Sequence, residues 1–135
     1  MNSITGWVDG SQVYGSDNET ASRLRSKENG RLKEGEHMML PVQKNHRHGL
    51  NDAGDIRVNE NLLLTAYHTI FVREHNRIAK VIYSKDPLLT DEEIYQAARN
   101  YVIALIQKIT FEDWLPILIG QEAYDKYIGN YAGYQ

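Results

Sequence analysis

The sequence predicts a mainly α-helical protein with a long irregular N-terminal half. Three observations carry that expectation. From Asn59 to Ser84 there is no Pro or Gly, and apolar residues at 63, 66, 67, 70, 71, 78, 81 and 82 keep helical spacing. Thr90-Asp91-Glu92-Glu93 is a capping box, with Thr90 at the N-cap and Glu93 at N3. It opens a second long helix through Ile94, Ala97, Ala98, Tyr101, Val102, Leu105 and Ile109. Asn29–Asp55, by contrast, carries Gly30, Gly35, Gly49, Gly54 and Pro41 and has little periodicity. Loops beyond ~12–15 residues are uncommon in compact domains unless they are functional or packed on something else.

Taken in order, residues 1–16 read as irregular, with glycines at 6, 10 and 15. A short helix follows from about Asn18 to Lys27, capped by Ser16 or Asp17, with Ala21 and Leu24 facing inward. In the helix of 59–84, Leu62, Leu64 and Val72 occupy further faces, which predicts a helix nearly surrounded by protein. Pro116 and Gly120 break or kink the segment after the second helix, and Gln121–Ile128 forms a last short one. A two-helix hairpin cannot bury both faces of each helix, so the chain reads as a piece of something larger. No internal repeat is present.

Composition bounds the function classes. The 135 residues are 41% apolar and 24% charged, as in one globular domain. The absence of cysteine excludes disulfide staples, thiolate catalysis and zinc ribbons within the chain. With 15 Lys+Arg against 18 Asp+Glu there is no electrostatic footprint for nucleic acid. The longest apolar run, Tyr101–Ile106, falls far short of the ~18 residues of a membrane span. Met1–Ser11 is polar and glycine-containing, so no signal peptide is expected in this chain.

Three polar clusters bear chemistry. In Gly54-Asp55-Ile56-Arg57-Val58-Asn59-Glu60, a helix starting near Asn59 would set Arg57 and Glu60 one turn apart on one side. The plainer alternative is an Asx turn at Asp55, a surface Arg57 and a capping Glu60. Within the long helix, His68 and His75 are seven apart and share a face. They read either as two ligands short of a metal site or as structural hydrogen-bonding groups, with Asn76 and His75 tying neighbouring backbone and Glu74 pairing with Arg77. Glu34-Gly-Glu36-His37 has carboxylate–histidine spacing inside a glycine-broken loop. In Thr5-Gly-Trp7-Val-Asp9-Gly-Ser11, side-chain oxygens at 5, 9 and 11 and the Trp7 carbonyl can converge on a hard cation such as calcium. A simple turn motif is the alternative, and only one formal negative charge is present.

Together these segments resemble the animal haem peroxidases, the family of the peroxidasin, myeloperoxidase and thyroid peroxidase groups and, more distantly, the cyclooxygenases. The resemblance rests on Asn2-Ser-Ile-Thr-Gly-Trp-Val-Asp-Gly-Ser-Gln-Val-Tyr-Gly-Ser16, Leu40-Pro41, Ala53-Gly-Asp-Ile-Arg-Val-Asn-Glu60, Leu64-Thr-Ala-Tyr-His-Thr-Ile-Phe-Val-Arg-Glu-His-Asn-Arg-Ile-Ala79, Glu93-Ile-Tyr-Gln-Ala-Ala-Arg99 and Leu115-Pro-Ile-Leu-Ile-Gly120. It runs in order from residue 2 to about 134, and it implies that residues 1–135 are the central part of a longer haem peroxidase domain.

The resemblance implies haem b and calcium as cofactors, and hydrogen peroxide with a small reducing donor or halide as reactants. It assigns Arg57 as the catalytic arginine over the haem and Glu60 as the carboxylate that many members esterify to a haem methyl. Thr5, Trp7 (through its carbonyl), Asp9 and Ser11 match the calcium loop, with a further Asp supplied by the distal-histidine segment. Both the distal and the proximal histidine fall outside this chain, and His68 and His75 fall on a structural helix. Asn61 stands where one strongly chloride-oxidising subgroup has a haem-linked Met. Family habit implies an extracellular or secreted protein, for which Asn18-Glu19-Thr20 is a glycosylation sequon. Alternatives are a cyclooxygenase- or dioxygenase-like relative acting through a tyrosyl radical, and a haem-free helical interaction module left by truncation; the Arg57-x-x-Glu60 pair favours the peroxidase.

Overall fold

The computed structural model describes residues 5–43 and 49–129. Asn2–Ile4 and the end of the resembling stretch near 134, with His46 and His48, lie outside the described residues. The described chain is mainly helical, with isolated bridges at Arg25–Leu32 and Val42–Asn51 as the extended pairings recorded within it. Contacts divide it into two units, one running through Ile103 and one from Ala104.

In the first unit, a one-turn helix α1 (Ser11–Tyr14) occupies part of the segment expected to be irregular. Gly10 precedes it with φ 72°, a left-handed conformation that costs glycine little. Helix α2 (Asn18–Leu24) starts at Asp17, whose carboxylate accepts the Thr20 N–H at 2.8 Å. It stops short of Lys27 because Arg25 turns extended to bridge Leu32, with the Lys33 N–H donating to the Leu24 carbonyl at 2.8 Å. A 3₁₀ turn, Ile56–Asn59, precedes the long helix α3 (Leu62–Lys85). Asn61 caps α3 by accepting the Leu64 N–H at 3.0 Å. The long helix therefore begins after Glu60, and Arg57 and Glu60 belong to the turn ahead of it rather than to its first turn. Helix α4 (Asp91–Lys108) opens on the expected capping box, the Thr90 N–H donating to Glu93 Oε2 at 2.8 Å and the Glu93 N–H to Thr90 Oγ1 at 3.3 Å.

One apolar cluster joins the long helices: Ile78 and Ala79 of α3 meet Ile94 and Ala98 of α4, flanked by Ile82 and Leu89. The inward face of α3 differs from the expected apolar stripe. His68, Thr69, His75 and Asn76 are buried beside Val72, Ile78 and Ala79, whereas Leu62 and Leu63 are 82% and 71% exposed. Burial of these polar groups is sustained by hydrogen bonds. His75 Nε2 donates to the Gly30 carbonyl at 2.8 Å, and Asn76 both accepts the Leu32 N–H (2.8 Å) and donates to the Leu32 carbonyl (3.0 Å). The irregular segment is thus packed on α3 and pinned there. Gly30, at φ 69°, lies so close to α4 that a Cβ would come within 2.5 Å of the Tyr95 nitrogen. Asp91 Oδ1 accepts its N–H at 2.7 Å, while Arg25 pairs with Asp91 and Glu92 and lies 3.9 Å over the Tyr95 ring.

In the second unit the last residues of α4 continue into a π-wound stretch, Ile109–Trp114. Helices α5 (Leu115–Ile119) and α6 (Gln121–Tyr127) follow. Pro116 lies just after the π-wound stretch in backbone that stays helical, and Gly120 at φ 85° separates α5 from α6. The expected break is present at Gly120, whereas the helix runs without a gap through Pro116. No helix among the described residues is long and apolar enough to cross a membrane.

Candidate functional site

Gly54 brings the Arg57 turn against α1: a Cβ there would lie 2.4 Å from the Ser11 carbonyl oxygen and 2.5 Å from the Gly15 nitrogen. Asp55, buried at the start of the turn, accepts the Arg57 N–H at 2.9 Å. The same carboxylate takes the guanidinium side-on, with Arg57 Nε 3.0–3.1 Å from both oxygens and Nη2 2.6 Å from Oδ2. Arg57 holds the Asp55 carboxyl below its ordinary range by hydrogen bonding, against the opposing effect of burial. The Asx turn at Asp55, the plainer alternative in the sequence, is thus present, and the same carboxylate adds a side-chain clamp on Arg57 that the sequence reading did not include. The Asp-x-Arg spacing was the available signal.

The Arg57 side chain is about half exposed, with the Nη1 edge outside the pair. A cavity of about 350 Å³ opens beside it, lined by Gln12, Asp55, Arg57, Leu64, Tyr67, His68 and Phe71. His68 Nδ1 donates to the Leu64 carbonyl at 2.7 Å, leaving a buried Nε2 with no hydrogen-bond partner. Glu60 is exposed at the end of the turn, its N–H donating to the Arg57 carbonyl at 3.0 Å and its charge reinforcing the protonated state of Arg57. Arg57 and Glu60 are therefore brought to one turn, beside an apolar wall with one cation.

The oxygen cluster also assembles. Thr5 Oγ1 donates to Asp9 Oδ1 at 2.9 Å and lies 3.0 Å from Ser11 Oγ, and the Ser11 N–H donates to Asp9 Oδ1 at 3.0 Å. Burial works against the Asp9 charge, but the Ser11 N–H and the Thr5 hydroxyl outweigh it and hold the carboxyl below its ordinary range. The Trp7 side chain is exposed. The three side-chain oxygens form an all-oxygen donor set with one ionised carboxylate, the chemistry a calcium ion accepts.

The histidines do not form a metal pair. Both ring nitrogens of His75 are used, by Tyr14 and Gly30, and His68 is tied to its own helix. Glu74 pairs with Arg77 at 2.7 Å, as expected, and Glu34 pairs with Arg31 at 2.7 Å. No group of three His, Cys, Asp or Glu that could hold a metal occurs among the described residues.

The family model described as animal haem peroxidase matches residues 1–135. The chain is 40% identical to a peroxidasin homolog of Caenorhabditis briggsae over 99% of its length, and 38% identical to lactoperoxidase of Mesocricetus auratus over all of it. It is 35% identical to myeloperoxidase of Mus musculus over 99%. The matched part is 12%, 22% and 21% of those relatives' own lengths, so the chain spans a small fraction of each. In three dimensions it is similar to peroxidase A from Dictyostelium discoideum, with a TM-score of 0.75 and 31% identity over 85% of this chain and 25% of that one. It is also similar to the fatty acid alpha-dioxygenase of Arabidopsis thaliana, with a TM-score of 0.77 and 32% identity over 89% of this chain and 18% of that one.

Proposed function

Because the chain belongs to the animal haem peroxidase family, we propose that it is the central part of a haem-dependent peroxidase domain that reduces hydrogen peroxide and oxidises a small donor or halide. The observation that carries this reading is Arg57, clamped by buried Asp55 beside a cavity that Leu64, Tyr67, His68 and Phe71 also line. The aromatic and aliphatic walls suit the edge of a porphyrin, and the free guanidinium edge suits its polar reactants. Haem, when bound, supplies the iron at which peroxide is reduced. Arg57 offers a permanently charged guanidinium to the oxygen on which negative charge develops as the O–O bond breaks. Asp55 orients that guanidinium so that little reorganisation accompanies the charge development. The distal and proximal histidines that complete the site belong, on this reading, to segments outside residues 1–135. The exposed Leu62, Leu63, Tyr67 and Ile70 belong to surface those segments cover.

The test is an absorption spectrum and peroxide turnover of the whole protein beside those of residues 1–135 with added haemin. The whole protein should show a Soret band and turnover, and the isolated chain none above free haemin. A stable histidine-ligated spectrum with turnover from the chain alone would misplace the iron ligand; a whole protein without haem absorption would leave a helical interaction module. Fatty-acid dioxygenation is the second reading, favoured by the structural likeness to the plant alpha-dioxygenase. The peroxidase relatives at 35–40% identity and the Arg57-x-x-Glu60 pair weigh against it.

Two finer assignments belong to the same reading. Glu60 would form an ester to the haem, removing a charge otherwise desolvated against an apolar ring edge. Glu60→Gln should then make haem extractable under denaturing conditions, and equal extraction from both proteins would remove the ester. Thr5, Asp9 and Ser11, with the Trp7 carbonyl, would hold calcium together with a carboxylate from outside this chain. Asp9→Ala in the whole protein should lower the calcium content measured by atomic emission; an unchanged content would remove the site. An extracellular or secreted location completes the reading, with Asn18-Glu19-Thr20 as a sequon that such a location would make usable.

A further inference from the structure

Outside the Arg57 turn, Tyr14 and His75 form a deeply buried pair of reactive side chains. Tyr14 is 1% exposed and His75 is 0% exposed. The Tyr14 hydroxyl lies 2.9 Å from His75 Nδ1, and the two rings meet edge to face at 5.4 Å. The tautomer is fixed by the second nitrogen. His75 Nε2 lies 2.8 Å from the Gly30 carbonyl oxygen, which can only accept, so Nε2 carries the hydrogen and Nδ1 presents a lone pair. Tyr14 is therefore the donor, and its proton already points at a base. Burial keeps both partners in their neutral forms, the imidazole down at about 4 and the phenol well above its ordinary range.

A phenol gives up an electron far more readily when its proton can leave with it, and in a dry core that requires a hydrogen-bonded base. We infer that Tyr14 is a reversible one-electron redox site of this protein, with His75 as the acceptor of its proton. In the step, one electron passes from the Tyr14 phenol to a peroxide-oxidised haem, the class of oxidant the proposed peroxidase reading would supply, which is reduced by one electron. The Oη–H bond breaks, an N–H bond forms at His75 Nδ1, and the pair becomes a neutral phenoxyl radical hydrogen-bonded to an imidazolium. The proton stays within the core. When a donor returns the electron, the proton moves back to Oη. The imidazolium formed is disfavoured by burial and by nearby Arg25, so the oxidised pair is strongly driven to recover an electron. Such a site would catch oxidising equivalents that escape the productive reaction and return to rest without covalent damage. Its natural oxidant rests on the proposed peroxidase reading, since peroxide chemistry is what would supply one. Gln12, two residues before Tyr14 on α1, lines the Arg57 cavity, which places the pair on the element next to that site.

The experiment needs no haem, so its outcome is independent of the peroxidase reading. The whole protein, prepared without haem, is oxidised by photogenerated tris(bipyridine)ruthenium(III), treated with ascorbate, and frozen for electron paramagnetic resonance. A tyrosyl signal that survives ascorbate is expected, because the buried ring is shielded from a soluble reductant. Tyr14→Phe should abolish that surviving signal, and Tyr95→Phe should leave it. Difluorotyrosine placed at position 14 keeps the O–H···N bond and should change the hyperfine pattern of the signal, which keeps the test decisive if Tyr14→Phe does not fold. An ascorbate-resistant spectrum unchanged by fluorination at position 14, or no resistant signal at all, would overturn the inference.

Discussion

Arg57→Lys in the whole protein should slow the reaction with hydrogen peroxide by about 10²–10³-fold, the usual cost of losing one preorganised donor to a developing oxyanion. Lysine keeps the charge but not the planar fork. In the structure Asp55 takes the guanidinium along its Nε and Nη2 edge, so that orientation and charge are set by one buried carboxylate. A lysine ammonium has no second edge: bound to Asp55 it is drawn away from the cavity, and released from Asp55 it is unoriented. Haem retention should change much less, because the apolar walls and Glu60 are untouched. Stopped-flow measurement of the peroxide reaction beside the haem-to-protein ratio separates the two effects. Normal peroxide kinetics in the variant would remove Arg57 from catalysis. Asp55→Asn offers an intermediate case, since the amide oxygen still accepts the Arg57 N–H while the ionic grip is lost.

The helices were legible because their signals are local. The Thr90–Glu93 capping box appears as written, and Gly120 ends α5 where a break is expected. The inward face of α3 was not legible, and the reason is physical. Apolar spacing marks the faces a helix covers in its complete surroundings, whereas the buried side here is chosen by His75 and Asn76, whose partners are backbone groups of Gly30 and Leu32 more than forty positions away in sequence. No periodicity encodes such a bond. The long helix expected to begin near Asn59 begins at Leu62. The structure gives Asn61 the cap and uses Asn59 to clamp Asn51, accepting its N–H at 2.9 Å and donating to its carbonyl at 3.0 Å. At the candidate site, residue types were readable from the resemblance, but the grip of Asp55 on Arg57 and the approach of Gly54 to α1 are three-dimensional facts.

Acid should destabilise the protein through His75 before its carboxylates titrate. Burial holds the folded imidazole down at about 4, the Gly30 carbonyl opposing that shift and Arg25 adding to it, whereas an unfolded histidine titrates near 6.5. The unfolded chain therefore takes up the proton first. The stability contributed by the neutral imidazole is full above pH ~6.5 and falls steadily as the pH drops toward ~4, by about 3 kcal/mol across that window. Asp9, Asp55, Glu74 and Glu93 are held below their ordinary values and act mainly at lower pH, so the window belongs largely to histidine. Protonation would place a second donor at Nδ1, facing the Tyr14 hydroxyl, inside a core that already holds Arg25. His75→Gln should cost about 2–4 kcal/mol at pH 7, through a lost ring and an unsatisfied Gly30 carbonyl or Tyr14 hydroxyl. The variant's urea midpoint should also lose most of the slope between pH 6.5 and 4 that the parent chain shows. Equal slopes in the two proteins would assign the acid sensitivity elsewhere. If the variant does not fold, a ring titration by nuclear magnetic resonance decides the matter, because an imidazole that protonates near 6.5 in the folded chain cannot be the neutral acceptor for Tyr14.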